Sequence, residues 1–330
     1  MTHPPASTIL ISPDSSPQYY SYYLDGLTAA LPGARVRYSV ADTPRLTSPR
    51  DGLAVVLSSG RRLFIAADDH PTVNPAALGW CDVYGQVNLD PAQRKQPGGH
   101  KLVALGPGFG TRQPSAVRAI ASVLGASVHG GRHFAGPLPR ARAVAKHQRD
   151  RLALTAYRPQ PSSDDTLFFL ASYWHRHPQA NEARLSLWSA FQSKSGLKLE
   201  GGFVRSEDSI PAHLRASATY DLKRYVQRTQ NSVAALNTPA VHGCLGWKLG
   251  EFFALGKAIV SLPLTREMPG EVHSGEQMLV VETSPEAVET VHRLAGNRPL
   301  RHQLERNARQ YFDTWLSPTA IARRLIGPPQ

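Results

Sequence analysis

The amino-acid sequence predicts an α/β protein made of two domains in tandem with a cleft between them, and three observations carry that reading. The chain has 330 residues, beyond the size at which one hydrophobic core keeps growing, and a ratio of about 150 residues per domain gives two. Short apolar runs alternate with helical stretches through both halves, as strands and helices do around a largely parallel sheet. Between the halves lies RPQPSSDDT at 158–166, whose Pro, Ser and paired Asp have the composition of a linker.

In the first half, TILIS (8–12) reads as a buried strand. QYYSYYLDGLTAAL (18–31) reads as a helix, ended by Pro32 and Gly33. ARVRYSV (34–40) alternates with the period of a strand, and LAVVLSS (53–59), RLFIAAD (62–68) and KLVAL (101–105) follow as short apolar runs. AVRAIASVLG (116–125) is helical in pattern, with Gly125 placed to cap it. In the second half, LFFLASY (167–173) is a strand, NEARLSLWSAFQSK (181–194) an amphipathic helix, and LEGGFV (199–204) a short strand or turn. YDLKRYVQRT (220–229) is a helix and SVAALN (232–237) a strand, and GWKLGEFFALGKAIVS (246–261) is a further helix and strand. EQMLVVE (276–282) is one more strand, and three helical stretches close the chain. No internal repeat is evident.

Apolar content of 41% suffices for sizeable cores, and only two cysteines, Cys81 and Cys244, are present, in unrelated contexts. They supply neither a disulfide framework nor metal-ligand spacing. No apolar run approaches the roughly 20 residues that cross a bilayer, and MTHPPASTILIS has neither the basic start nor the apolar stretch of a signal peptide. A cytoplasmic protein is the expectation. Lys plus Arg number 37 against 25 Asp plus Glu, a formal charge of +12. That surplus favours polyanions as partners: nucleic acid, anionic lipid headgroups at a membrane surface, or phosphorylated small molecules. It is concentrated between Arg132 and Arg158, where Asp150 is the one acid; a solvated helix face or linker has the same composition.

In open α/β sheets ligands bind beyond the carboxyl ends of the strands. This directs attention to Asp68-Asp69-His70, to the loop after Leu170 with Tyr173, and to the loop from Asn237 to Gly246 with Thr238 and His242. Around the last of these, Gly243 and Gly246 let the backbone turn tightly and approach a ligand. The following helix would aim its N–H groups and positive dipole end at a phosphate. Lys248 adds a full charge, and Glu251 lies on the same face at i+3. A carboxylate there suits a vicinal diol, so the pair together describes a ribose nucleotide. The same spacing is also that of a plain surface ion pair.

The arrangement G-x-K-L-x-E-x-x-A-x-G-K-A-I-V-S, followed by HSGEQMLVV (273–281), resembles the donor-binding half of GT-B glycosyltransferases, and more narrowly their retaining, metal-independent nucleotide-sugar group. The likeness covers roughly 165–325; over 1–160 it is architectural. It implies two Rossmann-like domains, 1–160 on the acceptor side and 161–310 for the nucleotide sugar, with a final helix in 311–330 returning to the first. It implies Glu251 on the ribose hydroxyls and Lys248 on the diphosphate, with Arg184 a further diphosphate candidate. Many members carry a second Glu near the transferred sugar. Here that position is Gly243, with His242 beside it to take the sugar-facing role, and the sugar and stereochemical outcome are left open. The donor implied is a UDP- or GDP-sugar, with no metal or other cofactor. The acceptor is a glycan, a lipid-linked saccharide or modified DNA. A nucleic-acid-binding protein and a nucleotide-sugar epimerase of the same fold are the alternatives.

In the first half, FIAADDHPTVNP (64–75) runs a strand directly into two acids and a histidine. His70 could serve as general base on an acceptor hydroxyl with Asp69 orienting its imidazole, or the loop could be a simple capped turn. GPGFG (106–110) lacks the third glycine of a dinucleotide fingerprint. His175-Arg176-His177 lacks the partners of a metal site.

Overall fold

The computed structural model describes residues 8–48, 50–113, 124–125, 128, 137–194, 196–204 and 210–327. The helix expected at 116–125 falls almost wholly outside them. The chain divides into two compact units: Met1–Leu154 with Arg266–Pro269 and Trp315–Gln330, and Thr155–Thr265 with Gly270–Thr314.

Unit 1 is built on a six-stranded sheet. Its strands are β1 (Thr8–Ile11), β2 (Arg35–Tyr38), β3 (Leu53–Leu57), β4 (Arg62–Ala66), β5 (Val83–Gln86) and β6 (Leu102–Ala104), in the order β2-β1-β3-β4-β5-β6. The sheet is mixed: β3 runs antiparallel to both β1 and β4, and the other pairings are parallel. The sequence reading of a largely parallel sheet missed this reversal, whose cause is local. Only residues 58–61 separate β3 from β4, too few for a crossover. Gly60, at φ +83°, closes a hairpin in which its N–H donates to Leu57 O at 2.8 Å. Leu63, Phe64 and Ile65 of β4 are each fully buried, as befits a central strand.

Helix α1 (Pro17–Ala30) buries Tyr20, Tyr23 and Leu27 on one face. Helices α2 (Pro75–Trp80) and α3 (Pro137–Asp150) belong to the same unit. The basic α3 buries Arg140, Val144 and His147 at i, i+4 and i+7, and leaves Arg142, Lys146 and Arg149 exposed. The last helix of the chain, here called the terminal helix (Pro318–Ile326), packs on α1. Their approach is close enough that a Cβ on Gly26 would lie 2.1 Å from Pro318 O. Tyr22 donates its hydroxyl to Leu316 O at 2.7 Å. Ile321 and Leu325 are fully buried there, each contributing about 1.5–3 kcal/mol. The segment Arg266–Pro269 is held to unit 1 by Arg94 on Glu267 and Arg266 on Asp90.

Unit 2 contains β7 (Thr166–Ser172), β8 (Lys198–Val204), β9 (Ala235–Asn237), β10 (Ile259–Ser261) and β11 (Leu279–Val280). Strands β7 and β8 pair in parallel, as do β9, β10 and β11. Val233 N–H donates to Thr166 O at 2.8 Å and Phe168 N–H to Ser232 Oγ at 2.9 Å. These bonds bring the two-stranded and three-stranded sheets edge to edge with β7 beside β9, so the strands lie β8-β7-β9-β10-β11 across the unit and the chain order reverses between β7 and β9. LEGGFV is a strand because glycine permits it: Gly201, at φ +115°, faces Phe169 O, which a Cβ would meet at 1.9 Å.

Around this sheet lie α4 (Pro178–Lys194), α5 (Leu222–Asn231), α6 (Trp247–Ala254), α7 (Ser284–Gly296) and α8 (Arg298–Tyr311). Asp221, Thr283 and Asn297 cap α5, α7 and α8 by accepting backbone N–H groups of the first turn. The core gathers Leu167, Phe191, Val233, Ala258, Val291 and Leu304. Two cations are drawn inside. Lys257 donates to Gln230 O and Ser232 O at 2.9 and 2.6 Å, and Arg301 donates to Leu294 O and pairs with Asp164. Among the described residues no helix is long and apolar enough to cross a membrane.

Candidate functional site

The reversal of strand order between β7 and β9 is the place where a parallel α/β sheet opens a crevice at its carboxyl edge, because the loops there depart to opposite faces. Two segments line that edge in unit 2: residues 173–177 after β7, leading into α4, and residues 238–246 after β9, leading into α6. Asn181 fastens the first by donating to Trp174 O and accepting Trp174 N–H, each at 2.8 Å. The second is pinned by Thr265 Oγ1, which donates to Gly243 O at 2.7 Å.

Within the second loop, His242 has φ +57°, the one non-glycine residue at positive φ among the described residues, followed by Gly243 at φ +71°. A left-handed residue with a Cβ costs about 1–2 kcal/mol. His242 is exposed, and its ring stands edge-on to that of His177, centroids 5.5 Å apart. A cavity of about 580 Å³ opens here, lined by Arg176, His177, Ala183, Pro239, His242 and Gly243 among others.

Next to this cavity in the chain, at Arg184 and Thr238, begins a cluster of half-buried and buried polar groups. Arg184 donates from Nη1 to Ser172 O at 2.9 Å and from Nε to Thr238 Oγ1 at 3.5 Å. Lys248 donates to Leu170 O, and its ammonium lies 5.5 Å from the centroid of the Tyr225 ring. Burial pushes the Lys248 pKa down to about 8; the charge of Glu251 opposes that fall and the charge of Arg184 deepens it. Glu251 is 5% exposed and Tyr225 7%. Burial, and after it the charge of Glu251, holds the Tyr225 phenol well above its ordinary range.

Gly246 is the N-cap of α6, with no side-chain cap, so that end of the helix presents its dipole without a competing hydroxyl. Of the residues singled out in the sequence, Arg184, Thr238, Lys248 and Glu251 come together in one cluster, and His242 and Gly243 in the adjoining cavity. Lys248 and Glu251 are not among the residues lining that cavity. Tyr173 stands edge-on to Phe203 and His175. Tyr225 and His177 were missed. The first is a tyrosine on a helix four residues from its cap, with no sequence mark to distinguish it from a core residue. The second stands in a His-Arg-His run whose one sequence mark is that of an incomplete metal site.

In unit 1 the loop after β4 divides its three titratable residues unequally. Asp69 and His70 are exposed, and Asp68 is half-buried. Burial raises the Asp68 carboxyl to about 6, against the opposing charge of His70. Asn88 Nδ2 donates to Asp68 O at 2.6 Å, and Gln86 Nε2 donates to Pro71 O at 2.9 Å, so the carboxyl edges of β4 and β5 hold the loop's backbone. Alternation along the chain could not have separated Asp68 from its neighbours, since all three follow the strand's last apolar residue.

No protein-family model matches the chain, and no curated protein matches it. Among solved structures it is similar to TarM at 9% identity and a TM-score of 0.38, over 51% of this chain and 36% of that one. It is similar to a glycosyltransferase from Rickettsia africae ESF-5 at 10% identity and a TM-score of 0.43, over 80% and 68% of the two chains. A third similarity is to WaaG, a glycosyltransferase involved in lipopolysaccharide biosynthesis, at 14% identity and a TM-score of 0.39, over 94% and 82%. The chain spans about a third of the length of TarM and about two thirds of the Rickettsia protein. At such distances the chemistry rests on the residues themselves.

Proposed function

We propose that the chain is a glycosyltransferase that binds a nucleotide diphosphate sugar at the β7/β9 edge of unit 2 and transfers the sugar to an acceptor hydroxyl. The observation that carries this reading is the partly buried Arg184–Thr238–Lys248–Glu251 cluster beside a sugar-sized cavity. Two cations and the N-terminus of α6 suit a diphosphate, and a buried carboxylate suits the two ribose hydroxyls.

In the transfer, the bond between the sugar's anomeric carbon and the phosphate oxygen breaks, and a bond to the acceptor oxygen forms. Negative charge grows on the leaving diphosphate, and preformed cations in a dry site stabilise it. Lys248, with a pKa near 8, is mostly charged at neutral pH and supplies this stabilisation together with Arg184, in a reaction that needs no metal. His242 and Gly243, in the cavity wall, face the sugar. The acceptor side is assigned to the Asp68–Asp69–His70 loop of unit 1, where Asp68 adds a carboxyl able to take the hydroxyl's proton once ionised. The donor is a UDP- or GDP-sugar. The acceptor is a glycan, free or lipid-linked, or modified DNA, in keeping with the charge of +12. A cytoplasmic location with contact to an anionic membrane face accords with the same charge.

The test is calorimetric titration of the whole chain with UDP and GDP, beside the Lys248→Met and Arg184→Met variants. One nucleotide is expected to bind, and each substitution to weaken it tenfold or more. Equal affinity in the folded variants would remove the diphosphate from this cluster.

A further inference from the structure

The cavity that adjoins the nucleotide cluster of unit 2 has a basic wall with no acid in it. Its volume is about 580 Å³, within the roughly 300–1,000 Å³ that small-molecule sites span. Arg176, His177, Gln179 and His242 are its polar side chains, and no Asp or Glu is among the described residues that line it. The whole lining belongs to unit 2: the loop after β7, the first turns of α4, the loop after β9 and the two residues that follow β10.

The diphosphate assigned to the neighbouring cluster already has its cations. Arg184 and Lys248 are tied to the backbone carbonyls of Ser172 and Leu170, and neither lines the cavity. The Arg176 guanidinium is different. It is exposed, and no hydrogen bond or ion pair holds it among the described residues. It is a positive charge left over once the diphosphate is matched.

The two imidazoles are placed by their backbones. His177 N–H donates to Trp174 O and His177 O accepts Ala180 N–H, each at 3.1 Å, which sets the residue at the entry to α4. Its ring stands edge-on to those of Trp174 and His242, at centroid distances of 6.3 and 5.5 Å. His242 keeps its left-handed backbone inside a turn closed twice: Gly243 N–H donates to Ala240 O at 3.1 Å, and Ala240 N–H to Cys244 O at 2.8 Å. Residues held in such sparsely populated conformations cluster at ligand sites. Here the residue so held lines the cavity.

A neutral sugar offers hydroxyls, each both donor and acceptor, and a wall suited to it supplies acceptors as well as donors. A guanidinium has N–H donors and no acceptor, and an imidazole presents at least one N–H. The complement of such a wall is an acceptor-only group, a carboxylate, which a guanidinium grips through two parallel bonds. We propose that the transferred sugar carries a carboxylate, as a hexuronic acid does, and that Arg176 and His177 select it against the neutral sugar of the same shape, with His242 completing the wall. The proposal rests on the reading of unit 2 as a nucleotide-sugar site and supplies that reading with its substrate class. Arg176 and His242 are exposed and His177 is half-buried, so water screens the contact. Its selectivity lies at the weak end of charged hydrogen bonds, about tenfold.

The experiment is calorimetric titration of the full chain with nucleotide sugars that differ only in oxidation at C6. The pairs are UDP-glucose with UDP-glucuronate, UDP-galactose with UDP-galacturonate, and GDP-mannose with GDP-mannuronate. Bare UDP and GDP are titrated beside them, into the unaltered chain and into the Arg176→Gln and His177→Phe variants. In at least one pair the acid is expected to bind about tenfold tighter than its neutral partner. Arg176→Gln, at an exposed position, should remove most of that preference and leave the affinity for the bare nucleotide within about twofold. His177→Phe keeps the ring, removes its N–H and should lower the preference in the same direction. The proposal is overturned, with the nucleotide site intact, if UDP or GDP binds but no acid exceeds its neutral partner. It is overturned too if the preference survives in both folded variants, or if Arg176→Gln weakens the bare nucleotide as much as the acid sugar, which would give Arg176 to the diphosphate. A chain that binds no nucleotide and no nucleotide sugar would overturn the nucleotide-site reading and this proposal with it.

Discussion

Replacing Glu251 by Gln separates the charge of one buried carboxylate from its shape. Glu251 is 5% exposed, and its charge counters the burial that lowers the Lys248 pKa. Two ribose hydroxyls donating to a carboxylate make bonds worth about 1.5–3 kcal/mol each, against about 0.5–1.5 kcal/mol for bonds to a neutral amide. The charge therefore contributes about 1–1.5 kcal/mol per hydroxyl, and about 2–3 kcal/mol for the pair. At 1.4 kcal/mol per tenfold, Glu251→Gln binds a ribonucleoside diphosphate roughly 30–100-fold more weakly. Loss of the carboxylate also lets the Lys248 pKa fall further, which weakens phosphate binding whatever the sugar. The assay removes that shared effect by comparing each nucleotide with its 2′,3′-dideoxy analogue in calorimetry. The unaltered chain's preference for the ribo form should exceed that of Glu251→Gln by the same factor, with the variant keeping its far-UV spectrum. An equal loss for both forms, or no loss, would refute the contact between Glu251 and ribose.

Three further outcomes are expected. A diphosphate favours the charged form of Lys248, so nucleotide affinity should fall as pH rises through about 8, with a limiting slope of about one decade per unit; a flat profile from pH 6.5 to 9.5 would contradict this. Lys257, 1% exposed with a pKa of about 8 in the folded chain, lies below its unfolded value, so between about 8 and 10.4 the unfolded chain binds more protons. Its contribution to unfolding free energy should therefore rise with pH across that window, by up to about 3 kcal/mol, and Lys257→Met should remove its share of the rise in urea titrations at pH 7.5 and 9.5. His242→Gly relieves a left-handed Cβ and should stabilise the protein by about 0.5–1 kcal/mol. It should also weaken binding of the nucleotide sugar relative to the bare nucleotide; a loss of stability would show that the loop needs the imidazole for its own packing.

Much of unit 2 was legible because β9 and β10 are wholly buried, β7 largely so, and the three lie in apolar runs. The pattern from Gly246 to Ser261 told more than the rest of the chain, since a glycine N-cap, a charged pair at i+3 and a strand follow within sixteen positions. Burial was not legible there. Lys248 and Glu251 have the spacing of a surface ion pair, and it is packing with Tyr225, from a helix some twenty residues earlier, that accompanies a half-buried lysine and a buried carboxylate. In unit 1 the reversal at β3 was hidden because a buried antiparallel strand has the same apolar run as a parallel one. Only the short SSGR turn spoke for a hairpin. Asp68 and Arg140 were hidden for a related reason. Each sits among residues of its own kind, Asp68 beside Asp69 and Arg140 beside Arg142, and which of the two turns inward is decided by the tertiary fold.

The central claim is a nucleotide-sugar site in unit 2, and a thermal-shift screen of the whole chain against UDP-, GDP-, dTDP- and ADP-sugars tests it most directly. A ligand that binds only the folded state at a hundredfold excess over its Kd adds about 2.7 kcal/mol to stability. The account predicts that donors of one base, UDP or GDP, raise the melting temperature, that the others do not, and that Glu251→Gln cuts the stabilisation to about a third or less. A melting temperature of the folded chain unmoved by every nucleotide sugar would contradict it.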